Sequence, residues 1–71
     1  MVMKPVVNIG KNGVTDQIID EIREQMKGKS EIKIRILRNA PASATVVADE
    51  VASRTGFGIR DVRGRTAILS R

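Results

Sequence analysis

The chain has no cysteine, histidine, tyrosine or tryptophan, and a single phenylalanine, Phe57. Without Cys there can be no disulfide, and without Cys and His the usual zinc ligands are missing. The missing imidazole, thiol and phenol also remove the commonest general bases and nucleophiles. Ser30, Ser43, Ser53 and Ser70 have no evident base beside them. Asp16, Asp20 and Glu24 fall at i, i+4 spacing, the pattern of a solvated helix stripe. No catalytic residue, metal or cofactor is therefore assigned, and a binding role is expected rather than an enzymatic one. A lone aromatic also rules out recognition by a row of stacking rings, so Phe57 is assigned to the core. No apolar run approaches the roughly 18 residues of a membrane-spanning helix. With no apolar leader pattern after Met1 either, the expectation is a soluble, cytoplasmic protein without a membrane partner.

What is present is compact and basic. Seventy-one residues suit one small domain, which at this size buries only about 60% of its unfolded surface. Thirteen Lys and Arg stand against eight Asp and Glu, a net charge of +5 that favours a polyanion as partner.

Hydrophobic periodicity and punctuation divide the chain into six elements. Val6 to Ile9 reads as a short strand, opened by Pro5 after a loose lead-in from Met1 to Lys4. Thr15 is a good N-cap, and Ile18, Ile19, Ile22 and Met26 recur at helical spacing, so a helix is expected over Asp16 to Lys27 with Gly28 just beyond it. Val14 and Ile19 fit a hydrophobic staple. Glu31 to Arg38 alternates: Ile32, Ile34 and Ile36 point one way, Lys33, Arg35 and Leu37 the other. After the turn Asn39-Ala40-Pro41, a second helix is expected from Ala42 to Thr55, closed by Gly56. Gly58 to Val62 and Thr66 to Ser70 read as strands joined through Arg63-Gly64-Arg65.

The order β-α-β-α-β-β predicts an α/β two-layer sandwich. It has a four-stranded mixed sheet, with right-handed crossovers placing both helices on one face. The expected core is Val7, Ile9, Ile19, Ile22, Met26, Ile32, Ile34, Ile36, Val47, Val51, Ile59 and Ile68, or the opposite parity in the short strands.

Charge is distributed unevenly over this frame. The two helices carry six acids (Asp16, Asp20, Glu21, Glu24, Asp49, Glu50) and three bases (Arg23, Lys27, Arg54). Strands and loops hold the other ten bases and only Glu31 and Asp61 as acids. A polyanion is therefore expected on the strand and loop side, and Lys33, Arg35, Arg38, Arg60, Arg63 and Arg65 are its candidate contacts.

Gly10-Lys11-Asn12-Gly13 lies between the first strand and the first helix. Two glycines let the main chain approach a phosphate, Lys11 supplies charge at the tip, and the helix start behind it offers free N–H groups. The segment is neither a Walker loop nor a Rossmann fingerprint. It is a G-x-x-G loop of the kind that clamps nucleic-acid backbone in KH domains. Asp16, in the first helical turn, opposes an anion placed there.

Four segments carry a family resemblance. They are Lys4–Thr15 (K-P-V-V-N-I-G-K-N-G-V-T), Ile18–Met26 (I-I-D-E-I-R-E-Q-M), Glu31–Ile36 (E-I-K-I-R-I) and the tail Thr55–Arg71 with its T-G and R-G-R-T elements. Together they resemble the CRM domain, the chloroplast RNA splicing and ribosome maturation module, also called the YhbY-like family. The resemblance spans nearly all of the chain as a single domain, 1–71. It implies the fold of the C-terminal domain of translation initiation factor three and RNA binding through Gly10, Lys11, Asn12 and Gly13. It also implies association with ribosomal RNA or its precursor in large-subunit assembly. Family members usually carry a leucine-rich helix ahead of the first strand, which these residues do not show, so the oligomeric state stays open between monomer and weak dimer. An Alba-like DNA- or RNA-binding chromatin protein is the alternative, with a similar strand–I-G-K–helix start but a longer basic hairpin. A scaffold binding only protein is the third reading.

Overall fold

The computed structural model describes residues 7–71. The expected lead-in and the Pro5–Val6 start of the first strand lie outside the described residues. Six elements follow in the expected order: β1 (Val7–Ile9), α1 (Asp16–Met26), β2 (Glu31–Ile36), α2 (Ala44–Thr55), β3 (Gly58–Arg63) and β4 (Thr66–Ser70).

The helix boundaries have local causes. Thr15 is extended, and its Oγ1 accepts a hydrogen bond from the Ile18 N–H at 3.2 Å, which satisfies one of the free donors of the first turn of α1. Ser43 does the same for α2, accepting from the Val46 N–H at 3.3 Å. That cap starts α2 at Ala44 rather than at Ala42, since the capping residue must itself be non-helical. At the other end the Gly56 N–H closes onto the Ala52 carbonyl at 2.8 Å.

The sheet order is β1-β2-β4-β3, with β1 parallel to β2 and the remaining neighbours antiparallel. The crossovers β1-α1-β2 and β2-α2-β3 both step in the same direction across the sheet. With the same hand, they place both helices on one face. Val7, Ile9, Ile32, Ile34, Ile36, Ala67 and Leu69 bury their side chains beneath them, in one cluster with Ile22 and Met26 of α1 and Val47, Ala48 and Val51 of α2; Ile19 of α1 is buried too.

Of the two parities open for the short strands, β4 takes the one that buries Ala67 and Leu69. Ile68 is half-buried on the opposite face, so its expected place in the core is corrected. The reason is register. Lys33 of β2 points away from the helices and pairs with Ile68, while Ile34 pairs with Ala67 and Ile32 with Leu69. A continuous apolar layer is possible only in this alignment, because a slip by one residue would turn every side chain over.

Strand β3 serves both faces through a bulge at Arg60. Ile59 pairs with Leu69 and Asp61 with the next residue, Ile68, which leaves Arg60 as the extra residue. Ile59 and Val62 thereby both pack partly buried against the core, although they are three apart. Asp61 is turned to the open face. The hairpin to β4 is tight: Arg63 pairs with Thr66, leaving Gly64 and Arg65 as the loop. Gly64 has φ +56°, and among the described residues no non-glycine residue has positive φ. Positive φ at the first loop position alone is the II′ pattern, which matches the twist of the flanking strands.

Candidate nucleic-acid interface

Strand direction gathers the loops. Strands β1 and β2 run parallel and both lead into helices, so the loops before α1 and α2 leave the same end of the sheet. Strand β4 starts opposite Arg35, near the end of β2, so the β3–β4 hairpin sits at that end too. The G-x-x-G loop, residues 37–43 and the hairpin tip therefore stand in a row, in the order of their strands.

They are in contact rather than merely adjacent. The Leu37 N–H donates to the Ile9 carbonyl at 2.8 Å, and the Ile36 N–H to the Arg65 carbonyl at 2.7 Å. Within the first loop, the Gly13 N–H donates to the Gly10 carbonyl at 2.9 Å, which closes a turn with Lys11 and Asn12 exposed at its tip. Gly13 is buried with φ +66°, and a Cβ there would lie 3.1 Å from Pro41 Cγ. A Cβ at Gly10 would sit 3.4 Å from Asn39 Oδ1 and 3.5 Å from Leu37 Cδ1. The two glycines thus let two loops close on each other, and what is left at the surface is the lysine and the asparagine. A cavity of about 500 Å³ opens beside this turn, with Asn8, Lys11, Asn12, Thr15, Asp16 and Gln17 among its lining residues. Ser43, Ala44, Gly64 and Arg65 frame a second recess where the hairpin tip meets the start of α2.

The face of the sheet away from the helices continues this end. Asn8, Arg35 and Thr66 form one cross-strand row that ends in Arg63; Lys33, Ile68 and Asp61 form the next. Arg35 therefore lies directly behind the loops, and Lys33 one rung further down.

The sequence candidates separate by their partners. Lys11, Lys33, Arg35, Arg38 and Arg65 enter no ion pair among the described residues; Lys33 is half-buried and the other four are exposed. Arg63 Nε lies 2.9 Å from Asp61 Oδ2. Arg60 Nε lies 2.8 Å from Glu31 Oε2, at the far end of the sheet with Ser30, Ser70 and Arg71. Arg60 is thus not brought together with the loop cluster. Its place near the start of β3, next to Ile59, which pairs with Leu69, puts it at that far end.

Arg54, near the end of α2, is in the sequence only a helix charge, yet it reaches the first loop. Its Nη1 donates to the Val14 carbonyl at 2.9 Å and its Nη2 to Asp16 Oδ1. A contact across 38 residues leaves no local signature in sequence.

Among the described residues no group of three or more carboxylates, histidines or cysteines could hold a metal ion, and no helix is long and apolar enough to cross a membrane. The arrangement offers a cationic loop row and an open sheet face that carries Lys33 and Arg35. It can bind an extended anion through several phosphates at once.

Two known proteins are similar to this chain. The chain is 27% identical over 67 residues to the Bacillus subtilis (strain 168) protein named Probable RNA-binding protein YqeI, covering 94% of this chain and 70% of that one. The fold of this chain matches, at a TM-score of 0.80, the solution structure of SAV1595 from Staphylococcus aureus, a hypothetical protein described as a candidate RNA-binding protein. That match is 24% identical and covers 96% of this chain and 71% of the other. The model of the CRS1 / YhbY (CRM) domain matches residues 1–71, and the chain belongs to that family.

Proposed function

We propose that the protein binds RNA without catalysis, and that its target is ribosomal RNA or a precursor of it during assembly of the large ribosomal subunit, in the cytoplasm. The observation that carries the reading is the row of three touching loops, with Lys11, Arg38 and Arg65 unpaired among the described residues and Arg35 and Lys33 behind them. Such a row is a ready site for a folded RNA backbone, where phosphates position the ligand and main-chain amides approach through the glycine-flanked turn. Gly10 and Gly13 shape the turn, Lys11 and Asn12 contact the ligand, and Arg38, Arg63 and Arg65 extend the track.

Family membership and a relative named for RNA binding support the same partner. The Alba-like alternative finds no support in the hairpin, whose loop is only Gly64-Arg65. The test is a competition between a structured ribosomal RNA fragment and duplex DNA at matched salt. Preference for the RNA supports the proposal. Equal or better binding of the duplex, or indifference to both at low salt, contradicts it. Crosslinking in cells and sequencing of the attached RNA then tests the ribosomal assignment.

A further inference from the structure

A carboxylate stands at the mouth of the proposed loop site. Asp16 occupies the first turn of α1 and lines the cavity beside Lys11, and its side chain is 94% exposed. Alone, it would repel the phosphate that the turn is built to approach, and its negative charge would offset that of Lys11.

Arg54 meets this carboxylate from the neighbouring helix. Its guanidinium spans Asp16 Oδ1 and the Val14 carbonyl, the latter at 2.9 Å, and lies 3.8 Å from Glu50 Oε2. Val14 sits between Gly13 and the capping Thr15, so the bond to its carbonyl fastens the chain where the loop passes into α1. The Arg54 main chain is itself held, because Arg23 Nη2 on α1 donates to the Arg54 carbonyl at 2.9 Å. The planar fork of arginine can serve a carbonyl and a carboxylate together, which a lysine ammonium reproduces poorly.

We infer that Arg54 is a positioning residue for RNA binding: it cancels the charge of Asp16 beside the loop and fixes the loop's exit through the Val14 carbonyl. This rests on the loop being the RNA site. Arg54 itself need not touch the RNA; it sets the field and the geometry in which Lys11 does.

The test is a mutant cycle of Arg54→Met and Asp16→Asn in the full chain, read by titration of a fluorescently labelled RNA stem-loop at low and high salt. Lys11→Glu serves as the control for the loop, and circular dichroism checks that each variant is folded. Arg54→Met is expected to weaken binding roughly tenfold at low salt and by much less at high salt, because the exposed Asp16 charge is screened there. Asp16→Asn is expected to change affinity little when Arg54 is present and to restore most of the loss when it is absent. A role confined to the Val14 bond would give a loss that neither salt nor Asp16→Asn repairs, and that result overturns the charge-cancelling role inferred for Arg54.

If Lys11→Glu lowers affinity while Arg54→Met leaves it unchanged, the inference about Arg54 is wrong and the loop site stands. Equal effects of Asp16→Asn in both backgrounds overturn it as well. If Lys11→Glu binds as wild type does, the loop is not the site and both readings fail together. Should Arg54→Met not fold, Arg54→Gln replaces it, which keeps a polar side chain but removes the charge; a salt-sensitive loss repaired by Asp16→Asn is expected, and unaltered affinity contradicts the inference.

Discussion

Gly13 and Pro41 touch so closely that a single added carbon on the glycine would lie 3.1 Å from the proline Cγ. The contact joins the G-x-x-G turn to the loop that precedes α2. It makes Gly13 a structural requirement of the turn as well as a feature of the proposed site.

Gly13→Ala and Gly64→Ala separate backbone strain from crowding. Both glycines have positive φ, at +66° and +56°, but nothing lies within 4 Å of a Cβ at Gly64. Gly64→Ala is expected to cost about 1–2 kcal/mol, the penalty of a left-handed conformation for an L-residue. Gly13→Ala pays that and the displacement of Pro41, for about 2–4 kcal/mol in all. Urea denaturation checks the pair, and equal losses would mean that Pro41 yields freely. Lys11 rather than Gly13 is therefore the residue at which to probe binding without disturbing the fold.

Lys11→Glu and Arg60→Ala should part company in RNA binding. Lys11 stands at the tip of the first loop, whereas Arg60 is paired with Glu31 at the other end of the sheet. Charge reversal at Lys11 is expected to lower affinity at least tenfold, roughly the worth of a lost charge-assisted contact plus a new repulsion. Arg60→Ala is expected to stay within about twofold, since a paired exposed charge contributes little. Fluorescence titration of both variants with one RNA decides it, and a comparable loss at Arg60 would extend the site over the whole sheet.

Neighbouring residues of β4 carry opposite stability predictions. Leu69 is fully buried and Ile68 faces away from the helices. Leu69→Ala is expected to cost about 2–5 kcal/mol, which brings a domain of this size close to unfolding. Ile68→Ala should cost about 1 kcal/mol or less, as only part of its surface leaves water on folding. Thermal melts of the two proteins measure the difference, and a larger loss at Ile68 would reverse the assignment of faces.

Salt dependence counts the phosphates. Each neutralised phosphate contributes about −0.7 to −0.9 to the slope of log K against log salt. If Lys11, Arg35, Arg38 and Arg65 all contact backbone, the slope is expected near −3, and Arg65→Ala should make it shallower by about 1. An unchanged slope in that variant would remove the hairpin tip from the interface.

Much of the fold was legible because its signals are local. Thr15 caps α1 as its side chain predicts, the alternating isoleucines of β2 mark its buried face, and Gly64 marks the hairpin. The parity of β4 was not fixed by its own residues, since Ala67, Ile68 and Leu69 are all apolar; pairing with β2 decides it. Strand β3 misleads for a different reason. Its alternation breaks at Arg60, and an extra residue in a strand is visible only once its partner is in place.

The candidate site divides along the same line. The G-x-x-G turn was readable because its four residues are contiguous and sit between two recognisable elements. The closeness of Arg38 and Arg65 to it depends on strand direction and order. Arg54 lies 38 residues from Asp16, and no periodicity joins them. The far placement of Arg60 follows from its position early in β3, opposite the end of β4, which a charge count does not register.

The most direct test is a titration of the isotope-labelled protein with a structured ribosomal RNA fragment, following backbone amide signals. The account predicts that Lys11, Asn12, Gly13, Arg38 and Arg65 shift together and that the outer helix residues Asp20, Glu24 and Asp49 stay still. Shifts confined to the helices, or an undisturbed set of loop signals at saturating RNA, would contradict it.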